Sequence, residues 1–354
     1  MNEIIAAKSR EGQFSGVVSV KRNEDELFKA AYGYANRSWN IGNRIDTRFR
    51  IASVSKLFTA VAILQLIENN RLSLDASIVE CLGLEDTTIP MEATVQHMLT
   101  MTSGIADWFE ESGDWEENWA ALCREHPIYL FRRNQDYLPL FVKKTPLFPV
   151  GEKHQYNGAG YILLGLVIEK VSGLSYFDYI RRYIFEKAQM TRSDFLSLDG
   201  VYEEVAEGYI PVNDKDDKIT GWKKNIYSTT PEAAADGGAT STVDDLSRFS
   251  QTLRHGQFLS AELTQEMLTP KVLERPEQLR GYTWKYGYGN FFLLPMGDSD
   301  QVVRWGHTGE EDGVSCRLYY YPKENLDVVM LGNQSWCAGS LAWEIHSLIL
   351  EMAP

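Results

Sequence analysis

A hydroxyl and an amine stand three residues apart in the segment Phe49-Arg50-Ile51-Ala52-Ser53-Val54-Ser55-Lys56. From Leu57 onward apolar residues recur at helical spacing, so a buried helix with one apolar stripe is expected to begin near Ser53. Side chains at i and i+3 on a first helical turn face the same way, which brings the Lys56 amine within reach of the Ser53 hydroxyl. Because a serine becomes a nucleophile when a neighbouring base takes its proton, the segment predicts covalent catalysis by Ser53.

The same two residues also have a plainer interpretation. Ser53 can serve only as a helix cap, and Lys56 can be a solvated surface residue. A serine followed by a lysine three positions later is a short pattern that arises by composition alone in a chain of this length. Motifs elsewhere in the chain must therefore decide between the two interpretations.

The composition limits the class of partner. The chain has 354 residues, 44% of them hydrophobic, and a formal net charge of −14 at pH 7. Nucleic acid and anionic lipid both require a basic face, and no basic cluster is present in the sequence. No apolar run approaches the roughly 20 residues of a membrane span. The sequence predicts a small-molecule partner, no nucleic acid and no membrane, and it leaves the oligomeric state unknown.

The N-terminus and the cysteines predict a cytoplasmic protein. Residues 1–8 carry an early acid and no long apolar core, unlike a signal peptide. No C-x-x-C pair is present, so the four cysteines are expected to be free thiols in a reducing compartment: Cys81, Cys123, Cys316 and Cys337. Their spacing matches no zinc motif, and neither a metal nor another cofactor is predicted.

Strand patterns lie near both ends of the chain, and helical patterns lie between them. Residues 14–20 and 27–34 predict a β-hairpin, and further strands are predicted at 289–294, 302–306, 315–321 and 326–331. We expect an α+β fold in which both ends build one antiparallel sheet and carry an inserted, mostly helical lobe. The predicted lobes are 1–70 with 235–354, and 71–234, with the active site in the cleft between them.

Six further helices and two irregular segments are predicted from local patterns along the chain. Helices are expected at 1–12, 93–101, 161–171, 175–184, 246–253 and 338–352. Thr242 is predicted to cap the helix at 246–253. The Trp-rich segment 107–133 has no clean period and is interpreted as an irregular, mostly surface insertion, and 213–224 as a charged loop.

Two further motifs lie beside these elements. Tyr156-Asn157-Gly158 comes just before the predicted buried helix, and His307-Thr308-Gly309 follows a predicted strand. Together with the Ser53 motif, Thr102-Ser103-Gly104-Ile105 and 236–242, they occur in an order that resembles the serine β-lactamase and penicillin-binding protein superfamily. The similarity is to its class C-like branch, which also holds DD-peptidases, D-aminopeptidases and short-chain esterases. Several motifs in order are far more specific than any one of them.

The resemblance implies a fold of the β-lactamase and DD-peptidase type, and acyl transfer without a metal. Ser53 would attack a small amide or ester and form an acyl-enzyme. Lys56 and Tyr156 would share the proton traffic as a coupled pair. An ammonium beside a phenol favours the phenolate, so the pKa of Tyr156 is expected to fall toward working pH. The oxyanion hole would be the backbone N–H groups of Ser53 and Glu310. Substrate contacts would come from four residues: Asn157, His307, Thr308 and Gly309.

Two departures from the family pattern affect the expected substrate. Gly158 stands where the family's Tyr-x-Asn has an asparagine, which removes an amide contact to the substrate and puts efficient β-lactam hydrolysis in doubt. His307 replaces the lysine of Lys-Thr-Gly, and a partly charged histidine is expected to bind a carboxylate less well.

The acidic run Glu310-Glu311-Asp312 suggests a substrate preference. Three acids beside the oxyanion strand would repel an anion and favour a neutral ester or an amino-bearing D-amino-acid amide or peptide. A charge run of this kind is also typical of a merely solvated loop.

Three functions from different classes stay open at this point. A serine hydrolase is the leading interpretation. A penicillin-binding or other non-catalytic ligand-binding protein is the alternative, since Gly158 lacks the family amide. A scaffold that uses the Trp-rich segment is the third. Retention of Ser53, Lys56 and Tyr156 favours the hydrolase, because a pure binder has no need of a base.

Overall fold

The computed structural model describes residues 1–111, 113–297 and 301–351. Its strands follow in chain order: β1 Gly16–Arg22, β2 Asp25–Tyr32, β3 Tyr34–Asn36, β4 Ile41–Gly42, β5 Phe49–Arg50, β6 Tyr209–Asn213, β7 Ile219–Lys224, β8 Thr240–Ser241, β9 Val272–Leu273, β10 Tyr282–Tyr286, β11 Phe291–Pro295, β12 Arg304–Glu311, β13 Val314–Tyr321 and β14 Leu326–Gly332.

The α-helices of these ranges are α1 Asn2–Arg10, α2 Lys56–Glu68, α3 Ile78–Leu82, α4 Val95–Leu99, α5 Trp115–Glu125, α6 Gly158–Ser172, α7 Tyr176–Ile180, α8 Val243–Arg254, α9 Ala261–Met267 and α10 Ala338–Glu351. Short 3-10 turns lie at Ala52–Ser55, Ile128–Leu130, Asn134–Leu140 and Asn225–Tyr227, and a π turn lies at Arg181–Phe185.

One antiparallel sheet joins the two ends of the chain. The strand order is β2-β1-β14-β13-β12-β11-β10-β9. In the pairing of β1 with β14, Gly16 lies opposite Gly332 and Lys21 opposite Asp327. The hairpin of β1 and β2 turns at residues 23–24, where Asn23 adopts a φ of 53°. The predicted α+β class, with a sheet built from both termini, is confirmed.

Helices cover both faces of this sheet. Val17 and Val18 are neighbours on β1, and they belong to different core clusters because successive side chains of a strand point to opposite faces. Val18 packs in the cluster that contains Ile5 of α1 and Leu341 of α10. Val17 packs in the larger cluster that contains α2, α6 and α8. Ala52 and Val54, the two neighbours of Ser53 in the chain, belong to this larger cluster.

The helix α2 is buried on nearly all sides, although its sequence was expected to show a single apolar stripe. Its residues from Lys56 to Leu64 are all buried, and it packs against α6. A helix between a sheet and other helices has no solvent face, which explains the nearly uniform apolar sequence.

Two local predictions are wrong. Residues 213–224, predicted as a charged loop, belong to the hairpin of β6 and β7, in which Tyr209 pairs with Lys224. The segment 107–133 was predicted to be irregular and mostly at the surface; it contains the regular helix α5, so the first part of this prediction is wrong. Most of its described residues are exposed or half-buried, although Phe109 and Trp119 are buried. The β6–β7 hairpin and α5 were not predicted because their apolar residues form only short periodic patterns, which charged residues interrupt.

The two-lobe division at residues 70 and 235 stays a prediction. α10 is described to Glu351, and Met352, which the prediction placed on its apolar face, lies outside the described residues. In the described ranges no single helix is long and apolar enough to cross a membrane; one pair, Gly158–Ser172 with Tyr176–Phe185, reaches that length and composition only together and is bent by 78°.

Candidate active site

Ser53 lies in the tight turn that leads into α2. β5 pairs with β8, and the amide of Ile51 donates to Ala239 O at 2.8 Å, which anchors the chain just before the turn. Ala52 is buried and has a φ of +45°, a conformation that L-residues rarely adopt. Strained backbone of this kind persists only where the surroundings hold it, and it occurs often at active sites. The turn therefore fixes the position of Ser53.

Lys56 is directed at Ser53 from inside the core. Its side chain is only 1% exposed, and Nζ lies 3.0 Å from Ser53 Oγ. Nζ also donates to the carbonyl oxygen of Asp236 at 2.5 Å. Two fixed partners hold the amine beside the hydroxyl, and the alternative of a solvated surface lysine is excluded.

Tyr156 completes a group of three side chains. Lys56 Nζ lies 5.0 Å from the centroid of its ring, and the ring stacks on Phe291 at 6.1 Å. Burial, followed by the negative charge of Glu111, raises the pKa of Tyr156 well above its usual value, while a hydrogen bond with Ser53 opposes the shift. The expected lowering of this pKa is wrong, because desolvation of the phenolate outweighs the nearby ammonium.

The His307-Thr308-Gly309 motif lies within β12, which continues to Glu311, beyond the predicted end of the strand at residue 306. β11 pairs with residues 304–306 only, so residues 307–311 leave one backbone edge uncovered by β11. A Cβ on Gly309 would lie 2.2 Å from Ile51 O, which shows how closely this edge approaches the Ser53 turn. The approach places the backbone of residues 309–310 alongside Ala52 and Ser53.

His307 is fully buried and uncharged at neutral pH. Its Nδ1 donates to the carbonyl oxygen of Thr308, and Nε2 lies 3.3 Å from Tyr286 Oη. Burial, and then the charge of Lys56, lowers the pKa of His307 to about 3. The expectation of a partly charged histidine is therefore wrong, and this side chain contributes no positive charge to the cleft.

Asn157 is used within the protein. Its Oδ1 accepts from the amide of Gly160 at 2.8 Å and caps α6, and its Nδ2 donates to Ile105 O at 2.9 Å. The side chain is 5% exposed, and both of its polar ends have partners. We therefore assign it a structural role and leave it out of the proposed substrate contacts.

The acids after the motif are largely neutralised. Glu310 pairs with Arg317 at 2.5 Å, and Glu311 pairs with Arg50 at 2.5 Å. Asp312 accepts a hydrogen bond from Ser335. The sequence suggested that this acidic run repels anionic substrates. Glu310 and Glu311 cannot cause such repulsion as free charges, because each is paired with an arginine.

A group of residues that sequence reasoning missed lines the other side of the cleft. The cavity beside Ser53 has a volume of about 60 Å³ and includes Trp108, Glu111 and Asp236. Asp107 lies behind it and accepts from the amides of Trp108, Gly158 and Ala159 at 2.7, 2.7 and 2.9 Å. Burial raises the pKa of Asp107 to about 6. The acid-and-tryptophan composition of the segment was visible in the sequence, but nothing in it indicated that the segment folds over Ser53.

A larger cavity of about 540 Å³ lies on the other side of Arg50, between residues 35–50 and 196–208. Neither Ser53 nor Lys56 lines it, so the chemistry is assigned to the smaller cleft by geometry rather than by size. Within the described residues, no group of three or more His, Cys, Asp or Glu side chains that could hold a metal ion is found.

An α+β fold with a serine and a buried lysine paired at the start of a core helix defines a serine hydrolase of the β-lactamase-like class. The Beta-lactamase family model matches residues 1–336, and the chain therefore belongs to this family. The predictions of the family, of the fold and of a serine hydrolase are confirmed.

Individual relatives carry several functional names. A penicillin-binding protein of Bacillus subtilis is 27% identical over 340 residues, covering 91% of this chain and 68% of the relative. A D-aminopeptidase of Brucella anthropi is 24% identical over 339 residues, covering 96% of this chain but only 59% of its own length. A solved penicillin-binding protein from Bacillus halodurans is 36% identical with a TM-score of 0.85, covering 97% of this chain and 99% of the other.

Proposed function

We propose that the protein hydrolyses a small amide or ester through an acyl-enzyme on Ser53. The observation that carries this proposal is the 3.0 Å distance between Lys56 Nζ and Ser53 Oγ, with the lysine fully enclosed. A lysine enclosed in this way has its amine oriented by the core, and the hydroxyl beside it is positioned for deprotonation.

The reaction is proposed in two stages. Ser53 Oγ attacks the carbonyl carbon, and its proton passes to the Lys56–Tyr156 pair, which must enter the reaction with one proton fewer than its fully protonated form. The backbone N–H groups of Ser53 and Glu310 stabilise the oxyanion. The carbon–nitrogen or carbon–oxygen bond then breaks, and the pair returns the proton to the leaving group. Water attacks the acyl-enzyme in the second stage and regenerates Ser53.

The cleft favours a small acyl group. A volume of about 60 Å³ is far below the several hundred cubic ångströms of a typical drug-sized site. Trp108, Phe109 and Trp119 form an aromatic wall, and the carboxyl groups of Glu111 and Asp236 also line the cavity. Burial raises the pKa of the Glu111 carboxyl to about 7, so this group is only partly charged at neutral pH. We propose that the substrate carries a short acyl part that is neutral or bears an amino group. A D-amino-acid amide or a short ester fits this description, and the D-aminopeptidase relative supports it.

A covalent penicillin trap is the second candidate. The relatives named as penicillin-binding proteins favour it, and Gly158 lacks the amide that contacts β-lactams in the family. In this case Ser53 would be acylated and water would be slow to release the product.

Intact-mass spectrometry separates the two candidates. The protein is mixed with a fluorophosphonate and, separately, with a penicillin, with Ser53→Ala as the matched control. We expect one fluorophosphonate adduct on the wild type and none on the variant. A lasting penicillin adduct as well would favour the trap. Absence of both adducts would refute an activated Ser53.

Substitution of the pair tests the mechanism itself. Ser53→Ala and Lys56→Ala should each abolish turnover of a small ester, and the double variant should be no slower than either single one, because the two groups act as a unit. A double variant much slower than both single variants would contradict this coupling.

A further inference from the structure

The position that is an asparagine in the family pattern is occupied here by a contact between two other side chains. A Cβ on Gly158 would lie 2.8 Å from Asp236 Oδ2 and 2.9 Å from Trp108 Nε1. The same two atoms form a hydrogen bond, in which the indole N–H donates to the carboxylate at 2.9 Å. Any side chain at position 158 would have to break or displace this pair. Glycine at position 158 therefore leaves the space that the hydrogen bond between Trp108 and Asp236 occupies.

The segment that carries Trp108 is tied to the start of α6. The Asp107 carboxylate accepts from the backbone amides of Gly158 and Ala159 at 2.7 and 2.9 Å. The Trp108 ring packs edge-on against the buried ring of Tyr137, with centroids 5.1 Å apart. These contacts hold the indole N–H in the direction of Asp236.

Asp236 connects this pair to the catalytic group. Its carbonyl oxygen accepts from Lys56 Nζ at 2.5 Å, and the residue lines the same cavity as Ser53. Glu310 and Glu311, which also line that cavity, are each paired with an arginine. Across the described ranges no cationic side chain lies within ion-pair distance of the Asp236 carboxylate, and the Lys56 ammonium contacts the carbonyl oxygen of this residue instead.

We propose that Asp236, oriented by Trp108, is the residue that determines specificity for the acyl part of the substrate. It presents a carboxylate to the acyl side, in a cleft where the family has an amide. A carboxylate attracts a positively charged amino group on the acyl part and repels an anionic group or a carbonyl oxygen. An amide can pair with either kind of group, because its NH2 donates and its carbonyl oxygen accepts. This inference rests on the proposed function of Ser53 and adds the class of acyl group, namely a small aminoacyl group with a free amine.

Protection of Ser53 from a fluorophosphonate measures the preference without requiring turnover. Alaninamide, as both enantiomers, is compared with isobutyramide, in which a methyl group of nearly the same size replaces the charged amine. The wild type should be protected by the free amine at a concentration at least about 10-fold lower than by isobutyramide. The Asp236→Asn variant should lose that ratio while Ser53 still labels.

Two further variants separate specificity from stability. Trp108→Phe removes the indole N–H, keeps an aromatic ring, and should reduce the preference. Combined with Asp236→Asn it should cause no further loss, because the two residues act as a unit. The matched control is Asp178→Asn, which removes a carboxylate that is 63% exposed on α7 and should leave the ratio unchanged.

The outcomes decide two separate questions. If the fluorophosphonate does not label the wild type, the proposed function fails. If Ser53 labels but the wild type shows no preference for the free amine, the role of Asp236 is refuted. Preference retained by Asp236→Asn, or equal loss in Asp178→Asn, also refutes it.

Discussion

The buried histidine of β12 offers a quantitative test through the pH dependence of stability. His307 has a pKa of about 3 in the folded protein, whereas the ordinary value is 6.5, and burial is the main cause. Between these two pH values the unfolded chain binds a proton at this residue and the folded chain does not. The free energy of unfolding must therefore fall as the pH falls through this window.

The size of the effect follows from the shift. Each pH unit well inside the window removes about 1.4 kcal/mol. Because the unfolded histidine is already half protonated at pH 6.5, the His307 contribution falls by about 2 kcal/mol from pH 6.5 to about pH 4.5. In His307→Gln this contribution is absent, while an amide can still donate to Thr308 O and accept from Tyr286. The stability difference between wild type and variant should therefore shrink steadily as the solution is acidified.

Urea unfolding of both proteins at several pH values, followed by tryptophan fluorescence, measures this difference directly. The control is His255→Gln, which changes an exposed histidine at the end of α8 and should leave the wild-type pH dependence in place. Curves for wild type and His307→Gln that run parallel from pH 7 to about pH 4.5 would refute the assignment of a neutral, buried His307.

Two other substitutions test how the cleft is built. Gly309→Ala would put a Cβ 2.2 Å from Ile51 O and should reduce both stability and Ser53 labelling, whereas Gly221→Ala, whose nearest neighbour would be 3.9 Å away, should change neither. Equal labelling of the two variants by the fluorophosphonate would contradict the close approach of β12. Arg50→Met should lower the free energy of unfolding by about 3–5 kcal/mol, because it leaves a largely buried carboxylate unpaired. Arg132→Met, at an exposed ion pair, should lower it by about 1 kcal/mol or less in the same urea titration, and similar losses would refute the difference.

The local order of residues was sufficient to predict that the side chains of Ser53 and Lys56 lie together. The i to i+3 spacing of Ser53 and Lys56 is a local property of a helical turn, and the structure keeps them 3.0 Å apart. The β-rich composition of 14–20, 315–321 and 326–331 likewise predicted strands, and these strands are buried along most of their length because helices cover both faces of the sheet. Motif order along the chain then indicated the family, and the family indicated the fold.

The environment of each group came only from the tertiary structure. No local pattern indicated that His307 is fully enclosed, or that burial raises the pKa of Tyr156 instead of lowering it. A pKa depends on desolvation and on charges that arrive from distant segments, such as Glu111 beside Tyr156. No local pattern contains that information.

The acyl side of the cleft shows the same division. Gly158 was recognisable as a missing amide from the sequence alone, but what occupies its place was not. Trp108 and Asp236 lie 128 residues apart in the chain. They meet because Asp107 binds the start of α6, while the backbone of Asp236 is held by Lys56 of α2. Spacing along the chain determines which groups can react, and long-range packing determines what charge and how much room surround them.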